Sequence, residues 1–193
     1  MFCLDLETVS VESTSAILSL GCCYHDGESS LSYQSMMDTG FFVKFDLIPQ
    51  FRELGRTKEA STLEWWKKQG RIQQETNLIP SPSDIPAREA IALFSRWVKK
   101  FPSYRNDIIW VRGSMDQSVL ESMCRALGVD SVMPYNQYRD VRTAVDILYP
   151  EAKGGYVDVD PEKVPDFDRN RVLSHHPLHD AARDLCMLLG GKS

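Results

Sequence analysis

Residues 2–8 read Phe-Cys-Leu-Asp-Leu-Glu-Thr, and few segments restrict the fold of a chain so strongly. Side chains on a strand switch faces at every residue, so Phe2, Leu4 and Leu6 share one face while Cys3, Asp5 and Glu7 share the other. The segment therefore reads as a strand with one fully apolar face and two carboxylates one pleat apart at its end. Carboxylates that close repel each other, and each loses hydration as it nears a core. A chain that keeps them there must supply compensating positive charge.

The chain that follows has the punctuation of an α/β protein. Residues 16–24 (AILSLGCCY) form an apolar run closed by a His-Asp-Gly turn signal, and residues 40–45 (GFFVKF) read as a third strand. Three consecutive strands with short links predict an antiparallel meander. Helices come next. One opens at Ser61, whose capping box is completed by Glu64, and stops at Gly70. A second spans 84–101, with an apolar stripe of Ala90, Ile91, Phe94, Trp97, Val98 and Phe101. A short strand at 108–111 leads into a helix over 117–127, another helix covers 141–149, and the last runs from Pro177 to about Leu189, closed by glycines. Residues 150–174 are polar and rich in Gly and Pro, which marks a long active-site flap or a disordered loop. Strands followed by strands interleaved with helices predict a mixed sheet with helices on both faces, and the chain reads as a single domain over 1–193.

Acids recur where apolar elements begin or end. Besides Asp5 and Glu7, Asp116 lies at a strand-to-helix junction and Asp180 in the first turn of the last helix. Taken singly, Asp116 reads as a helix cap and Asp180 as a carboxylate favoured by the positive helix end. Together they fit a two-metal site, which needs carboxylates from separate elements around ions roughly 3.5–4 Å apart. Oxygen ligands of this kind suit Mg²⁺ or Mn²⁺, and bound cations would remove the repulsion between Asp5 and Glu7.

Three segments, DLET at 5–8, WVRGSMDQSVL at 110–120 and HHPLHD at 175–180, resemble in order the three motifs of the DEDDh exonucleases. STLEWWKKQ, WVRG, RDVRT and SHHPLHDAARDL are further similar to the T-even bacteriophage exodeoxyribonuclease A and to the mycobacterial-type exoribonuclease domain, over residues 2 to about 188. The resemblance implies an RNase H-like α/β fold with a mixed sheet of five to six strands. It implies Asp5, Glu7, Asp116 and Asp180 as ligands of two Mg²⁺ or Mn²⁺ ions and His175 as the general base. The implied activity is 3′–5′ exonuclease cleavage, releasing nucleoside 5′-monophosphates from single-stranded DNA or RNA with a free 3′ end. It leaves a homodimer open.

Other readings compete at several positions. His175 and His179 have the i, i+4 spacing of a helical zinc pair, but Pro177 pushes the helix start past His176. His179-Asp180 also resembles the metal motif of all-helical HD phosphohydrolases, which need histidines on earlier helices; only His25 remains. In the Trp-Trp helix, Leu63 and Trp66 face the core and Trp65 points elsewhere, and either tryptophan is a candidate platform for a terminal base. Arg139 and Arg142 are candidates for substrate phosphate or for an internal ion pair such as one with Asp140. Thr8 is placed for its backbone amide to meet the terminal sugar. The acids between 158 and 168 lack calcium-loop spacing and read as solvent-facing.

Bulk properties narrow the function. A net charge of −5 and a pI near 5.4 argue against a protein that coats nucleic acid with a broad basic face, though not against one that grips a strand end. The five cysteines lack C-x-x-C spacing and lie in apolar runs, as reduced core thiols do. No basic, apolar leader and no membrane-length stretch is evident, so the expectation is a soluble, unexported, cytoplasmic protein. A nuclease-like module that binds an end without cleaving it is the alternative from a different functional class.

Overall fold

The structure is a computed structural model that describes residues 1–192. Its strands are β1 (Phe2–Thr8), β2 (Ile17–Tyr24), β3 (Phe41–Lys44), β4 (Ile109–Val111) and β5 (Tyr138–Asp140). Its helices are α1 (Tyr33–Thr39), α2 (Leu47–Arg52), α3 (Ala60–Lys67), α4 (Arg71–Gln73), α5 (Ala87–Val98), α6 (Met115–Leu127), α7 (Val141–Leu148) and α8 (Pro177–Gly190). One π-helical turn, Gln74–Leu78, continues α4.

The strands form a five-stranded mixed sheet in the order β3-β2-β1-β4-β5. β1 pairs antiparallel with β2 and β2 with β3, whereas β1–β4 and β4–β5 are parallel. The fold is thus α/β and consistent with the RNase H-like nuclease fold. The alternation along β1 does what the sequence predicts. Phe2, Leu4 and Leu6 join Ile91, Phe94, Trp97, Val119, Leu120 and Met123 in a core beneath α5 and α6, while Cys3 joins Leu178, Ala181, Ala182 and Leu185 of α8 on the opposite face. By the same alternation Asp5 and Glu7 lie on the α8 face. All five cysteines are buried and free.

Some expectations change. β2 and β3 are not joined by a short link, because α1 intervenes, N-capped by Ser32 and tied down by Asp166, which accepts from Ser32 Oγ and the amides of Tyr33 and Gln34. The capping box at Ser61 does not form. The Glu59 amide is already bound to Val9 O, so the chain turns into α3 at Ala60, and Ser61 falls inside the helix. Residues 150–174 pack against α1 through the Tyr33–Phe167 aromatic contact and against the end of α8 through fully buried Val164 and a bridge from Val159 to Gly191. Among the described residues no helix is long and apolar enough to cross a membrane.

One glycine sets how close α8 comes to the sheet. Gly21 of β2 pairs with Asp5, and a Cβ there would lie 2.0 Å from Leu178 N and 2.2 Å from Pro177 C. The first turn of α8 therefore rests directly on backbone at the level of Asp5.

Candidate active site

The acids of β1, α6 and α8 meet at one end of the sheet. Asp5 and Glu7 come from β1, Asp116 from the first turn of α6 and Asp180 from the first turn of α8. Asp116 and Asp180 are buried, and the Glu7 side chain is 13% exposed. Burial pushes Asp5 well above the usual carboxylate range, and the charges of Asp116, Glu7, Asp180 and Asp184 push it further. Asp116 is raised to about 8, first by burial, with the backbone of Leu6 and Arg112 opposing and Glu7 adding. Burial likewise raises Glu7 against the pull of His175, and raises Asp180 against the pull of Arg183. In all four, burial disfavours the charged form, and only Glu7 and Asp180 have a cationic partner that opposes it.

His175 closes the cluster. Ligand atoms of Glu7, His175 and Asp180 all lie within 4.8 Å of one another. His175 Nδ1 is 3.6 Å from Glu7 Oε1, a charge contact that lifts the imidazole above its ordinary value against the effect of partial burial. Its backbone has φ +61°, which makes it the one non-glycine residue with positive φ among the described residues. Such a conformation costs about 1–3 kcal/mol and persists only where the surroundings hold it. Asp180 Oδ2 accepts the His175 N–H at 2.8 Å, so one carboxylate both joins the acidic cluster and holds the His175 backbone.

The donor set fits divalent cations. Glu7, Asp180 and His175 offer carboxylate oxygens and an imidazole nitrogen close enough to share an ion, Asp5 and Asp116 lie outside that trio, and ligation would relieve the burial cost of the acids it engages. Asp180 Oδ1 is buried with no hydrogen bond of good geometry; Arg183 Nη1 approaches it at 2.6 Å, and that contact is an ion pair, not an aligned hydrogen bond.

A layer of charge absent from the sequence reading supports this cluster. Arg112 forms a bidentate pair with Asp184, Nε to Oδ2 and Nη2 to Oδ1, both at 2.8 Å. Arg183 reaches Asp184 Oδ1 at 3.2 Å as well as Asp180. The i, i+4 spacing of Asp180 and Asp184 was the available signal, since it places both on one side of α8.

The other candidates separate into exposed and structural groups. Trp66 is 1% exposed and its Nε1 donates to Thr8 O at 2.9 Å, so it offers no face to a ligand. Trp65 is 42% exposed and meets the His175 ring edge-on at a centroid distance of 4.9 Å. The Thr8 side chain is buried and donates to Ser10 O, and its backbone lies opposite Ile17 in the β1–β2 pairing. Arg139 and Arg142 are exposed beside an open cleft of about 400 Å³ that includes Gly113, Ser114 and Gln117. Neither pairs with Asp140, whose carboxylate accepts from Gly113 N and from the amide and hydroxyl of Thr143.

The remaining histidines are occupied with structure. His176 is the residue before α8, and its ring packs 4.5 Å from that of Phe42. His179 Nδ1 lies 2.7 Å from Tyr33 Oη and receives the Leu173 amide at 3.3 Å. His175 precedes the helix, so His175 and His179 do not form a helical zinc pair, and the central sheet removes the all-helical HD phosphohydrolase reading.

A mixed α/β sheet with acids from three elements drawn toward one end is consistent with a nuclease fold. The family profile described as the 3′-5′ exoribonuclease Rv2179c-like domain matches residues 1–188, and the chain belongs to that family. No curated protein matches the chain significantly.

Proposed function

We propose that the protein is a metal-dependent 3′–5′ exonuclease of the DEDDh type, akin to the T-even phage exodeoxyribonuclease A. It removes nucleoside 5′-monophosphates one at a time from single-stranded nucleic acid with a free 3′ end. Of RNA and DNA, RNA is favoured by the description of the family. The observation that carries the reading is the convergence of Glu7, Asp180 and His175 within 4.8 Å, on the face of β1 that also holds Asp5.

In this reading Asp5, Glu7, Asp116 and Asp180 would hold two Mg²⁺ or Mn²⁺ ions. When bound, such ions supply the positive charge that acidifies a water and stabilises the leaving 3′ oxygen. His175 accepts the proton of the attacking water. Were Glu7 and Asp180 to hold an ion, their pull on the imidazole would weaken, leaving His175 freer to accept a proton.

Trp65 stacks the terminal base, and Arg139 and Arg142 contact phosphate at the edge of the site. A second cleft, of about 540 Å³, opens beyond Arg183 between α8 and residues 150–174; its lining mixes Lys153, Arg169 and Lys192 with Glu151 and Asp158, the latter paired with Arg169. The chain works as one exonuclease domain in the cytoplasm, with residues 150–174 as its flap.

The test is release of mononucleotides from 3′-labelled RNA and DNA strands with Mg²⁺ or Mn²⁺, with and without chelator, using free and blocked 3′ ends. Cleavage that needs the ion and the free end supports the reading. Tight binding of the strand without cleavage under every ion condition would make the protein an end-binding module instead.

A further inference from the structure

The left-handed backbone of His175 is held from two sides. Asp180 accepts its N–H, and Asn77, 98 residues earlier in the chain, donates from Nδ2 to its carbonyl at 2.6 Å. Asn77 is 1% exposed, and its amide has a second donor bond to Gln73 O at 3.1 Å. Its Oδ1 accepts from Ser19 Oγ on β2, and Ser19 is fully buried. Both partners of Nδ2 are carbonyl oxygens, which only accept, so the amide has a single orientation that satisfies all three contacts. Asn77 therefore enters His175 as an already fixed donor, anchored in the sheet through Ser19.

The local backbone is unusual in the same place. Asn77 lies in the π-helical turn Gln74–Leu78. Such turns are rare, hold one more residue per hydrogen-bonded ring than an α-helix, and recur where a side chain must be aimed. Rewinding this turn as α-helix would rotate residue 77 away from the carbonyl it meets.

We infer that Asn77 is the positioning residue for His175: its carboxamide, locked by Ser19 and Gln73, clamps the His175 carbonyl and holds the left-handed backbone that aims the ring at Glu7. Asn77 acts through His175 alone. The kinetic part of the inference rests on His175 being the general base; the backbone part does not.

The experiment follows the metal-free ¹⁵N-labelled protein and the active enzyme in parallel. In the metal-free protein, Asn77→Ala and Asn77→Leu are expected to speed hydrogen exchange of the His175 amide at least about tenfold and to move its φ-sensitive HN–Hα coupling, with other α8 amides unchanged. In the enzyme, both variants are expected to lower kcat on single-stranded RNA about 10–100-fold, the range for residues that orient a catalytic group, with KM and Mn²⁺ affinity within about twofold of wild type. Placed on His175→Ala, Asn77→Ala is expected to change kcat by less than about twofold, because the two act as one unit. Ser19→Ala, which removes only the lock, shifts the same observables by less and serves where an Asn77 variant does not fold. An unchanged His175 amide and coupling, or an Asn77→Ala loss of equal size in the His175→Ala background, would overturn the inference. A wild-type enzyme without activity would remove the functional reading, while the exchange and coupling data would still decide the clamp.

Discussion

Arg112 and Asp184 hold each other by two parallel hydrogen bonds of 2.8 Å, joining the residue after β4 to the turn of α8 that follows Asp180. Their side chains are 9% and 4% exposed. A pair this buried is worth little against an apolar replacement, yet losing one member strands the other's charge. Arg112→Ala is expected to destabilise the protein by about 3 kcal/mol, read as a lower urea midpoint, because Arg183 remains beside Asp184 but cannot replace the bidentate contact. The double variant Arg112→Met, Asp184→Leu is expected to recover most of that loss. Equal damage from the single and double variants would mean that the geometry of the pair matters and its charge balance does not.

The two adjacent tryptophans should respond in opposite ways. Trp65, exposed and edge-on to His175, is expected to raise KM for single-stranded RNA about fivefold or more when changed to alanine, given roughly 1–3 kcal/mol per stacked base, with the melting temperature unchanged. Trp66, enclosed with Val9, Ala16 and Leu18, is expected to cost about 3–5 kcal/mol of stability on the same change. Kinetics and thermal melts on the two variants separate these roles.

The acidic cluster predicts how stability depends on pH. Asp5, Glu7, Asp116 and Asp180 all have folded-state values above those of free carboxyls, Asp116 at about 8. The folded, ion-free protein then binds more protons than the unfolded chain. This stabilisation is fully present below the unfolded values near 4 and is lost as pH rises through the folded ones. Thermal melts in chelator are expected to show a lower midpoint at pH 8 than at pH 5. Mn²⁺ is expected to raise the midpoint strongly at pH 8 and little at pH 5, where protons already occupy the carboxyls. A midpoint in chelator that does not change between these pH values would contradict the convergence of the four acids.

Much of this architecture is legible in the sequence because it is local. The alternation in Phe2–Glu7 sets both cores and the acidic face, and Pro177 fixes where α8 starts. Trp65 and Trp66 separate by helical spacing alone, as exposure bears out. Features that depend on distant partners are not legible. α1 forms where Asp166, more than 130 residues away, caps its first turn. The Ser61 capping box gives way to the Glu59–Val9 backbone bond. Arg139 and Arg142 carry no mark that Asp140 is already committed to Gly113 and Thr143. Asn77 sits in an unremarkable polar stretch, and only folding brings it to His175.

Gly21 has no side chain with which to do chemistry, yet it decides whether Asp180 and His175 can come up to β1, because α8 sits in the space a methyl group would fill. A saturation screen of this enzyme should therefore show residue 21 as intolerant as the acids, for reasons of clearance and not of reactivity. Anyone grafting the acids and the histidine onto another scaffold would have to transplant that missing atom along with them.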